Sequence, residues 1–562
     1  MSNCIEAIYS DSYLDYIIDE GRISLEQKDG LEANCTLPID ENFFVVYEKK
    51  EKNQEISFAK YGYGAVPKCF GLLDSSNIES TGAFRVRSRY GFQLSGKGVL
   101  IGIIDAGIDY TNSLFRYGDG TTRLQSIWDQ SVEVGEADAF VPYGKRYSVE
   151  DINVALQNEN PKSVIPVNDV NYHGTFLAAI AAGKEDANKD FSGMAPDAQL
   201  VIVKVKEAKS SLRRFYGIGE TVPCYQENDI MFAVRYLLDE AQRMQMPIVI
   251  CLGMGTNAGS HNGFSPLASM LGRYATIAGV CFTVGAGNEG NRGHHFYSVL
   301  SPNSVQEVEI NVERQRDMTV ELWTDSIEQL RIGVIAPDGE KTGLIQIRKY
   351  EQKLEYVFYD TVIYVFYERI EYYSGEEVVV IRMRDLEQGI WKLQVYNDSN
   401  QENAFHSWLP MEQFLSEETR FLEPILDTTI CNPGNVYQVI TFGAYNHRNQ
   451  SIYVYSGRGF TVNYGIKPDL VAPGVDVYGP VSDKNFEGRS GSSIATAHGA
   501  GAVALLFEWA IVKKNQVGMN GITAKNYLLR GTDKEGMQVP NRAVGWGFLD
   551  IYQTFSSLQS DS

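Results

Sequence analysis

The feature that most constrains the fold is a series of short, predominantly apolar runs separated by helical segments. Such runs occur at 99–105 (VLIGIID), 200–205 (LVIVKV), 247–252 (PIVICL) and 279–288 (GVCFTVGAGN). A strand with no polar face must be covered on both sides, which is typical of a parallel sheet. The helical pattern at 228–244, between two of these runs, provides such a cover. We therefore predict an α/β fold in which helices flank a parallel sheet.

This alternation stops between residues 301 and 417, where short β-type segments follow one another without a helix. Such an array is typical of a β-sandwich or jelly roll. The apolar run 436–445 then restores the α/β pattern. We predict a β jelly-roll domain at 301–417, inserted into an α/β core whose two parts are 75–300 and 418–562.

Residues 1–74 form a third unit in this prediction, a small α+β segment with a β-type run at 43–48 (FFVVYE). A segment of this length buries too little surface to be certain of folding alone. It begins with an acidic stretch and lacks the basic and apolar parts of a secretory signal. We therefore expect no classical export signal and a protein made in the cytoplasm.

The charge balance narrows the choice of partners. The 562 residues carry 50 Lys and Arg against 71 Asp and Glu, a formal net charge of −21. This excess repels phosphate groups and anionic lipids, so we expect no nucleic acid partner. We find no run of about 18 apolar residues and expect no membrane insertion. The seven cysteines are spread singly, so we interpret them as mostly buried thiols and consider metal binding improbable.

Three separate positions indicate chemistry when they are taken together. Asp105 ends an apolar run, His173 opens a helical segment rich in small residues, and Ser493 opens another. Each has a structural explanation alone, as a turn or cap residue or a packed histidine. A serine nucleophile, however, needs a base, and the base needs a carboxylate that orients it. A helix N-terminus also favours the negative charge of an acyl-transfer intermediate.

The motifs around these positions carry a family resemblance. The sequence contains, in order, DAGID, DVNYHGT, GMAPDAQLVIVKV, GAGNEG, KPDLVAPG and SGSSIATAHGAGAVALL. Each resembles a block of the subtilases, the subtilisin-like serine proteases of the S8 family, and they occur in that family's order. The chain order Asp, His, Ser is also the order of subtilisin. The resemblance implies a subtilisin-like fold and serine endopeptidase activity.

The resemblance also implies a role for each matching residue. Asp105 orients His173, and His173 takes the proton of the nucleophile Ser493 and later gives it to the leaving amine. Asn288 donates its amide to the oxyanion. A strand edge that pairs with the substrate backbone is formed by Cys251, Leu252 and Gly253. A wall of the pocket for the residue before the cut is formed by Gly285, Ala286 and Gly287. No cofactor or metal is required, and structural calcium is left open.

The layout resembles most closely the clostridial Csp subtilases, which act in spore germination. The shared features are the N-terminal unit, the segment 109–130 and the jelly-roll insert. By this resemblance 1–74 is a prodomain that assists folding, lies in the cleft as an inhibitor and is cut near Leu72 or Leu73. Its alternative role is a simple N-terminal cap. The implied partners are a protein substrate or zymogen and the protein's own prodomain, in a cytoplasmic or spore-associated location.

Several positions depart from the family pattern. Tyr172 replaces a glycine before the histidine, Ala106 replaces Thr or Ser after the aspartate, and Phe176 replaces a polar residue. These changes leave every triad atom in place. They motivate an alternative hypothesis, a catalytically weak pseudoprotease that binds a protein partner. His498 is a rival base, but five helical steps from Ser493 place it largely on another face.

Overall fold

The computed structural model describes residues 4–22, 35–51, 54–72, 81–87, 92–133, 139–324, 330–345, 354–358, 360–482 and 484–560. At its centre is an eight-stranded sheet. In spatial order the strands are Leu470–Pro473, Ile440–Tyr445, Val280–Gly285, Ile248–Leu252, Leu100–Asp105, Gln199–Lys204, Leu124–Asp129 and Lys145–Ser148. All neighbours are parallel except the last pair, which is antiparallel.

This central sheet confirms the predicted α/β fold. Its strand Leu100–Asp105 is buried on both faces: Ile101 and Ile103 pack into one apolar cluster, and Leu100 and Ile104 into another. The first cluster is completed by the helices His173–Ala182 and Ser492–Phe507, and the second by Glu227–Met244 and Pro266–Tyr274. Other α-helices are Ile5–Tyr9, Ala83–Arg87, Val149–Leu156, Pro161–Val164, Ser210–Tyr216, Gly521–Arg530 and Ile551–Ser560.

One helical stretch, Ser492–Val512, is long and apolar enough to cross a membrane by length and composition, with a mean hydropathy of 1.4. Its apolar character comes largely from small residues, which is why it did not stand out in the sequence. In the fold, 89% of this window is buried inside the protein. That is the environment of a core helix, and the small residues let it pack closely against the sheet.

The chain between the two parts of the core forms a β-sandwich of antiparallel strands. Its apolar interior contains Trp391, Val320 and Phe405. One sheet has six strands: His295–Leu300, Asn403–Trp408, Met318–Thr324, Glu377–Arg384, Thr361–Glu368 and Leu354–Phe358. The other has four: Leu330–Ile335, Gly389–Asn397, Ser304–Val312 and Arg420–Phe421. The strands thus extend over 295–421, against the predicted insert at 301–417.

The N-terminal unit has its own three-stranded antiparallel sheet, Tyr13–Asp19, Phe43–Lys49 and Cys35–Pro38, next to the helix Ile5–Tyr9. Asp15 in this sheet forms a buried ion pair with Lys209 of the core, with 2.6 Å between Oδ1 and Nζ. Two cysteines differ from the prediction of buried thiols, because Cys4 and Cys35 form a disulfide. The other five cysteines are free and buried.

A further small sheet joins the N-terminal unit to the core. Its middle strand, Cys69–Leu72, lies between Met254–Gly255 and Tyr225–Gln226 and is antiparallel to both. The two flanking strands belong to the core, whereas the middle strand is the last described part of the N-terminal unit. The end of this unit is therefore held as an extended strand at the carboxyl edge of the central sheet.

Candidate active site

Three side chains predicted from separate motifs meet at the carboxyl edge of the central sheet. The Nδ1 atom of His173 lies 2.9 and 2.8 Å from the two carboxylate oxygens of Asp105. Its Nε2 atom lies 3.2 Å from the Oγ of Ser493. An N–H at Nδ1 that donates to the carboxylate leaves Nε2 as an acceptor for the serine hydroxyl. The arrangement is that of a base oriented by a carboxylate and placed beside a nucleophile.

Local sequence explains why these side chains come so close together. Asp105 is the last residue of its strand, and His173 is the first residue of its helix. A Cβ on Gly174 would lie 2.2 Å from the carbonyl oxygen of Gly107 and 2.9 Å from the Cβ of Asp105. Only glycine at position 174 lets the helix start this near the strand end. Small residues in the motif thus set the distance between base and carboxylate.

The start of the helix that carries Ser493 is organised for an anion. Ser493 is the second residue of this helix, where backbone N–H groups have no partner within the helix. Asn288 lies beside it, and its Oδ1 accepts a hydrogen bond of 3.1 Å from the backbone N–H of Ser492. That bond fixes the orientation of the amide and leaves Nδ2 as its remaining donor. Asn288 also lines the cleft, so its amide and the helix N-terminus are two kinds of donor near Ser493.

The predicted peptide-binding edge needs a correction. Cys251 and Leu252 pair on one side with Thr283 and Val284 and on the other with Ile103 and Ile104, inside the central sheet. Strands with neighbours on both sides offer no free edge to a peptide. The edge that pairs with the tail is Met254–Gly255, which directly follows the predicted segment. Gly253 lies beneath the triad: a Cβ there would be 3.4 Å from His173 Cε1 and from Asp105 Oδ2.

The glycine-rich segment predicted as a pocket wall lies next to the serine helix. Gly285 ends its strand, and Ala286 donates its N–H to the carbonyl of Phe442. Gly287 has a φ of 89° and donates its N–H to the Oγ of Ser492 at 3.1 Å. A Cβ on Gly287 would lie 2.3 Å from the sulfur of Cys431. Glycine is therefore required there by both conformation and space, and the pocket role stays a prediction.

The tail of the N-terminal unit reaches the cleft as a strand, and Leu72 forms part of its lining. Gly71 pairs with Gly255, and Leu72 pairs with Met254. The carbonyl oxygen of Leu72 accepts a hydrogen bond from Nε2 of Gln413. The predicted cleavage region lies here, although Leu73 is outside the described residues.

The cleft has a volume of about 560 Å³ and includes a wall that sequence reasoning missed. Its lining residues are Leu72, Asn171, His173, Pro223, Asn288, Glu289, Arg292, Met411, Glu412, Gln413, Tyr453, Arg489 and Ser490. Three of them, Met411 to Gln413, come from the end of the inserted sandwich. No motif marks them, because they reach the cleft only through the packing of the insert on the core.

The departures from the family pattern have clear structural surroundings. Tyr172 has a φ of 58°, a conformation that favours glycine, and its hydroxyl donates to Oδ2 of Asp109 at 2.7 Å. Ala106 donates its backbone N–H to Oδ1 of Asp105 at 2.8 Å, a bond that needs no particular side chain. His498 is buried and bonds the carbonyl of Ile494 through Nδ1. Burial lowers the pKa of His498 to about 3, so it is neutral at physiological pH.

A second carboxyl group supports the start of the histidine helix. Oδ2 of Asp169 accepts hydrogen bonds of 2.7 Å from both the backbone N–H and the hydroxyl of Thr175. Burial, and then the nearby charge of Asp105, raise the pKa of Asp169. These bonds hold the first turn of the helix, and with it His173, at the strand end.

Comparisons with known proteins agree with this geometry. A family described as "Subtilase family" matches residues 96–320 and 423–547, and the gap between the two falls within the sandwich. The structure of the Clostridium perfringens CspB protease is 30% identical, with a TM-score of 0.77, over 86% of this chain and 97% of that one. Both findings support a serine endopeptidase.

Curated relatives match this chain in sequence over most of its length. The subtilisin-like protease SBT2.2 of Arabidopsis thaliana is 23% identical over 490 residues, 74% of this chain and 55% of that protein. The C5a peptidase of Streptococcus pyogenes is 23% identical over 443 residues, 73% of this chain and 35% of that protein. The chain thus spans little more than half of one of these relatives and about a third of the other.

Proposed function

This chain belongs to the subtilase family, and from that premise we propose that it is a serine endopeptidase with Ser493 as nucleophile, His173 as base and Asp105 as orienting carboxylate. The observation that carries the proposal is the continuous contact from Asp105 through His173 to Ser493, with His173 Nε2 3.2 Å from the serine Oγ. A helix N-terminus and the amide of Asn288 border the same point.

In the proposed mechanism, an extended peptide lies in the cleft with its scissile carbonyl beside Ser493. The serine Oγ attacks the carbonyl carbon as His173 Nε2 accepts its proton, and Asp105 stabilises the imidazolium that forms. Nδ2 of Asn288 and the backbone N–H of Ser493 hold the negative oxygen. His173 then returns the proton to the leaving amine, and water hydrolyses the acyl-enzyme in the reverse sequence. These steps use only groups of the chain and water.

We also propose that the N-terminal unit is a prodomain that the enzyme cuts from itself. The support is its terminal strand Cys69–Leu72, which pairs in extended form with Met254–Gly255 and reaches the cleft at Leu72. Leu72, the last described residue of the tail, lies opposite Met254 and accepts a hydrogen bond from Gln413 through its carbonyl. Gly253, the residue before Met254, lies beside His173. We expect the scissile bond near Leu72 or Leu73.

The test compares the full chain with Ser493→Ala and with the matched control Ser490→Ala. Ser490 lines the cleft, but its Oγ accepts a hydrogen bond from the N–H of Asp476 and is not joined to His173. We expect the full chain and Ser490→Ala to release an N-terminal fragment on a denaturing gel and to react with a fluorophosphonate probe. Ser493→Ala is expected to do neither.

The possible results distinguish a self-processing protease from a pseudoprotease. N-terminal sequencing of the larger fragment locates the cut and tests the expected position near Leu72 or Leu73. Uncut chains in all three samples would overturn self-processing. Absence of probe labelling in the full chain would overturn catalysis itself and favour the pseudoprotease that binds a protein partner.

A further inference from the structure

The inserted sandwich places one side chain directly on the peptide strand in the cleft. Gln413 lies in the short 3-10 helix Glu412–Phe414. In the chain this helix follows the strand Asn403–Trp408 and precedes the strand Arg420–Phe421. Its Nε2 donates to the carbonyl oxygen of Leu72, a main-chain group of the tail. A contact with a main-chain carbonyl is available to any extended peptide that takes the place of the tail.

The same side chain crowds the preceding position of the tail. A Cβ on Gly71 would lie 2.8 Å from both Cδ and Nε2 of Gln413. The end of a glutamine is flexible, so it can move aside for a larger residue. Moving aside breaks its hydrogen bond to the carbonyl of Leu72. Glycine is therefore the residue at position 71 that allows both the close approach and the bond.

Charged contacts hold this part of the insert in place. The backbone N–H of Glu412 donates to Oε1 of Glu289 at 3.1 Å, and the carboxylate of Glu412 pairs with Arg292 at 2.7 Å. The other oxygen of Glu289 is 2.6 Å from Nδ1 of His294, and both side chains are buried. Glu289 follows Asn288 in the chain. Gln413 thus has a fixed position relative to the oxyanion asparagine.

We propose that Gln413 is a specificity-determining residue that selects extended peptides with glycine at the position held by Gly71. This proposal rests on the proposed function, because it names the substrate class of the same cleft. The preceding side chain, Phe70, is only 2% exposed and packs in the same apolar cluster as Tyr225 and Met254. The preferred segment therefore has an aromatic or large apolar residue followed directly by glycine.

The first experiment is a double-mutant cycle in the uncut Ser493→Ala chain. Hydrogen exchange of the Cys69–Leu72 amides is measured with and without Gly71→Ala, in the Gln413 and Gln413→Ala backgrounds. We expect Gly71→Ala to lower protection about fivefold when Gln413 is present and less than twofold when it is absent. Gln394→Ala, a glutamine elsewhere in the sandwich, is the matched control and should not remove the fivefold effect. An equal effect of Gly71→Ala in both backgrounds would overturn the proposal.

The second experiment uses the processed enzyme with peptides that contain Phe-Gly-Leu or Phe-Ala-Leu. We expect kcat/KM to favour the glycine peptide about fivefold, and the preference to disappear in Gln413→Ala. Equal cleavage of the two peptides by the unmodified enzyme would overturn the proposal. Loss of probe labelling at Ser493, together with an intact exchange cycle, would instead show that Gln413 holds the strand while the proposed catalysis is wrong.

Discussion

The cleft has two walls of different origin. The core wall carries Asp105, His173 and Ser493, which are buried and fixed by a strand end and two helix starts. The sandwich wall carries Glu412 and Gln413, which are held by side-chain contacts to the core. The proposed chemistry and the proposed selectivity therefore lie on separate parts of the chain. A substitution in one wall can change one of these properties without changing the other.

Buried carboxyl groups have different surroundings in the core and in the sandwich. Asp105 has hydrogen bonds from His173 and from the N–H of Ala106, which suit a charged carboxylate. In the sandwich, Glu377 is only 3% exposed, and burial raises its pKa to about 7. The core carboxylate is thus arranged for function, whereas the sandwich carboxyl lowers stability when it ionises. Three substitutions test the contrast between the core site and the sandwich.

The largest expected effect is that of Asp105→Asn on the core wall. The amide preserves the shape but cannot stabilise the imidazolium or the required tautomer of His173, so we expect kcat/KM to fall about 10⁴-fold. The melting temperature should change little. Asp129→Asn is the matched control, since Asp129 also ends a strand of the same sheet and accepts a hydrogen bond from the N–H of Ser131 instead. A peptide hydrolysis assay measures kcat/KM, and a thermal melt measures the melting temperature. Comparable losses of kcat/KM in the two variants would contradict a special role for Asp105.

A smaller effect on activity is expected for Asn288→Ala. The variant loses the side-chain donor to the oxyanion, which typically lowers kcat about 10²–10³-fold and affects KM much less. Asn311→Ala in the sandwich is the control. The Asn311 side-chain amide donates a hydrogen bond to the carbonyl of Glu418, and both residues belong to the inserted sandwich. A change in KM alone for Asn288→Ala would place this residue in substrate binding rather than in catalysis.

The smallest expected effect is one on stability alone, from Glu377→Gln. A pKa raised from 4.5 to about 7 means that the folded protein keeps this proton where the unfolded chain has lost it. Stability therefore falls as pH rises through that interval. Glu377→Gln should raise the free energy of unfolding by on the order of 2–3 kcal/mol at pH 8 and by little at pH 4. Activity should not change.

Denaturant unfolding at the two pH values measures this gain. Glu307→Gln is the control, because Glu307 is largely solvated and hydrogen bonds from Gln394 and Lys392 lower its pKa. It should show no gain at pH 8. A pH-independent effect of Glu377→Gln would mean that packing, rather than charge, limits the stability of this site.

Sequence reasoning found the residues that local motifs encode. The triad and Asn288 were predicted from four separate segments, and the structure brings all four together. The predicted peptide-binding edge included Cys251 and Leu252, which lie inside the central sheet, because an apolar run does not show where a strand leaves its sheet. Gln413 was not predicted, since no local pattern distinguishes it from an exposed polar turn residue.

The sequence by itself indicated the α/β core, the inserted β-domain and the residues of the proposed triad. These features depend on short-range signals: apolar runs, helix-starting glycines and motif residues whose spacing sets backbone geometry. Only the tertiary structure decided which edge receives the tail, that Cys4 joins Cys35, and that Glu412 and Gln413 border the cleft. Those contacts join segments far apart in the chain, and their formation depends on how whole units pack, which no local pattern records.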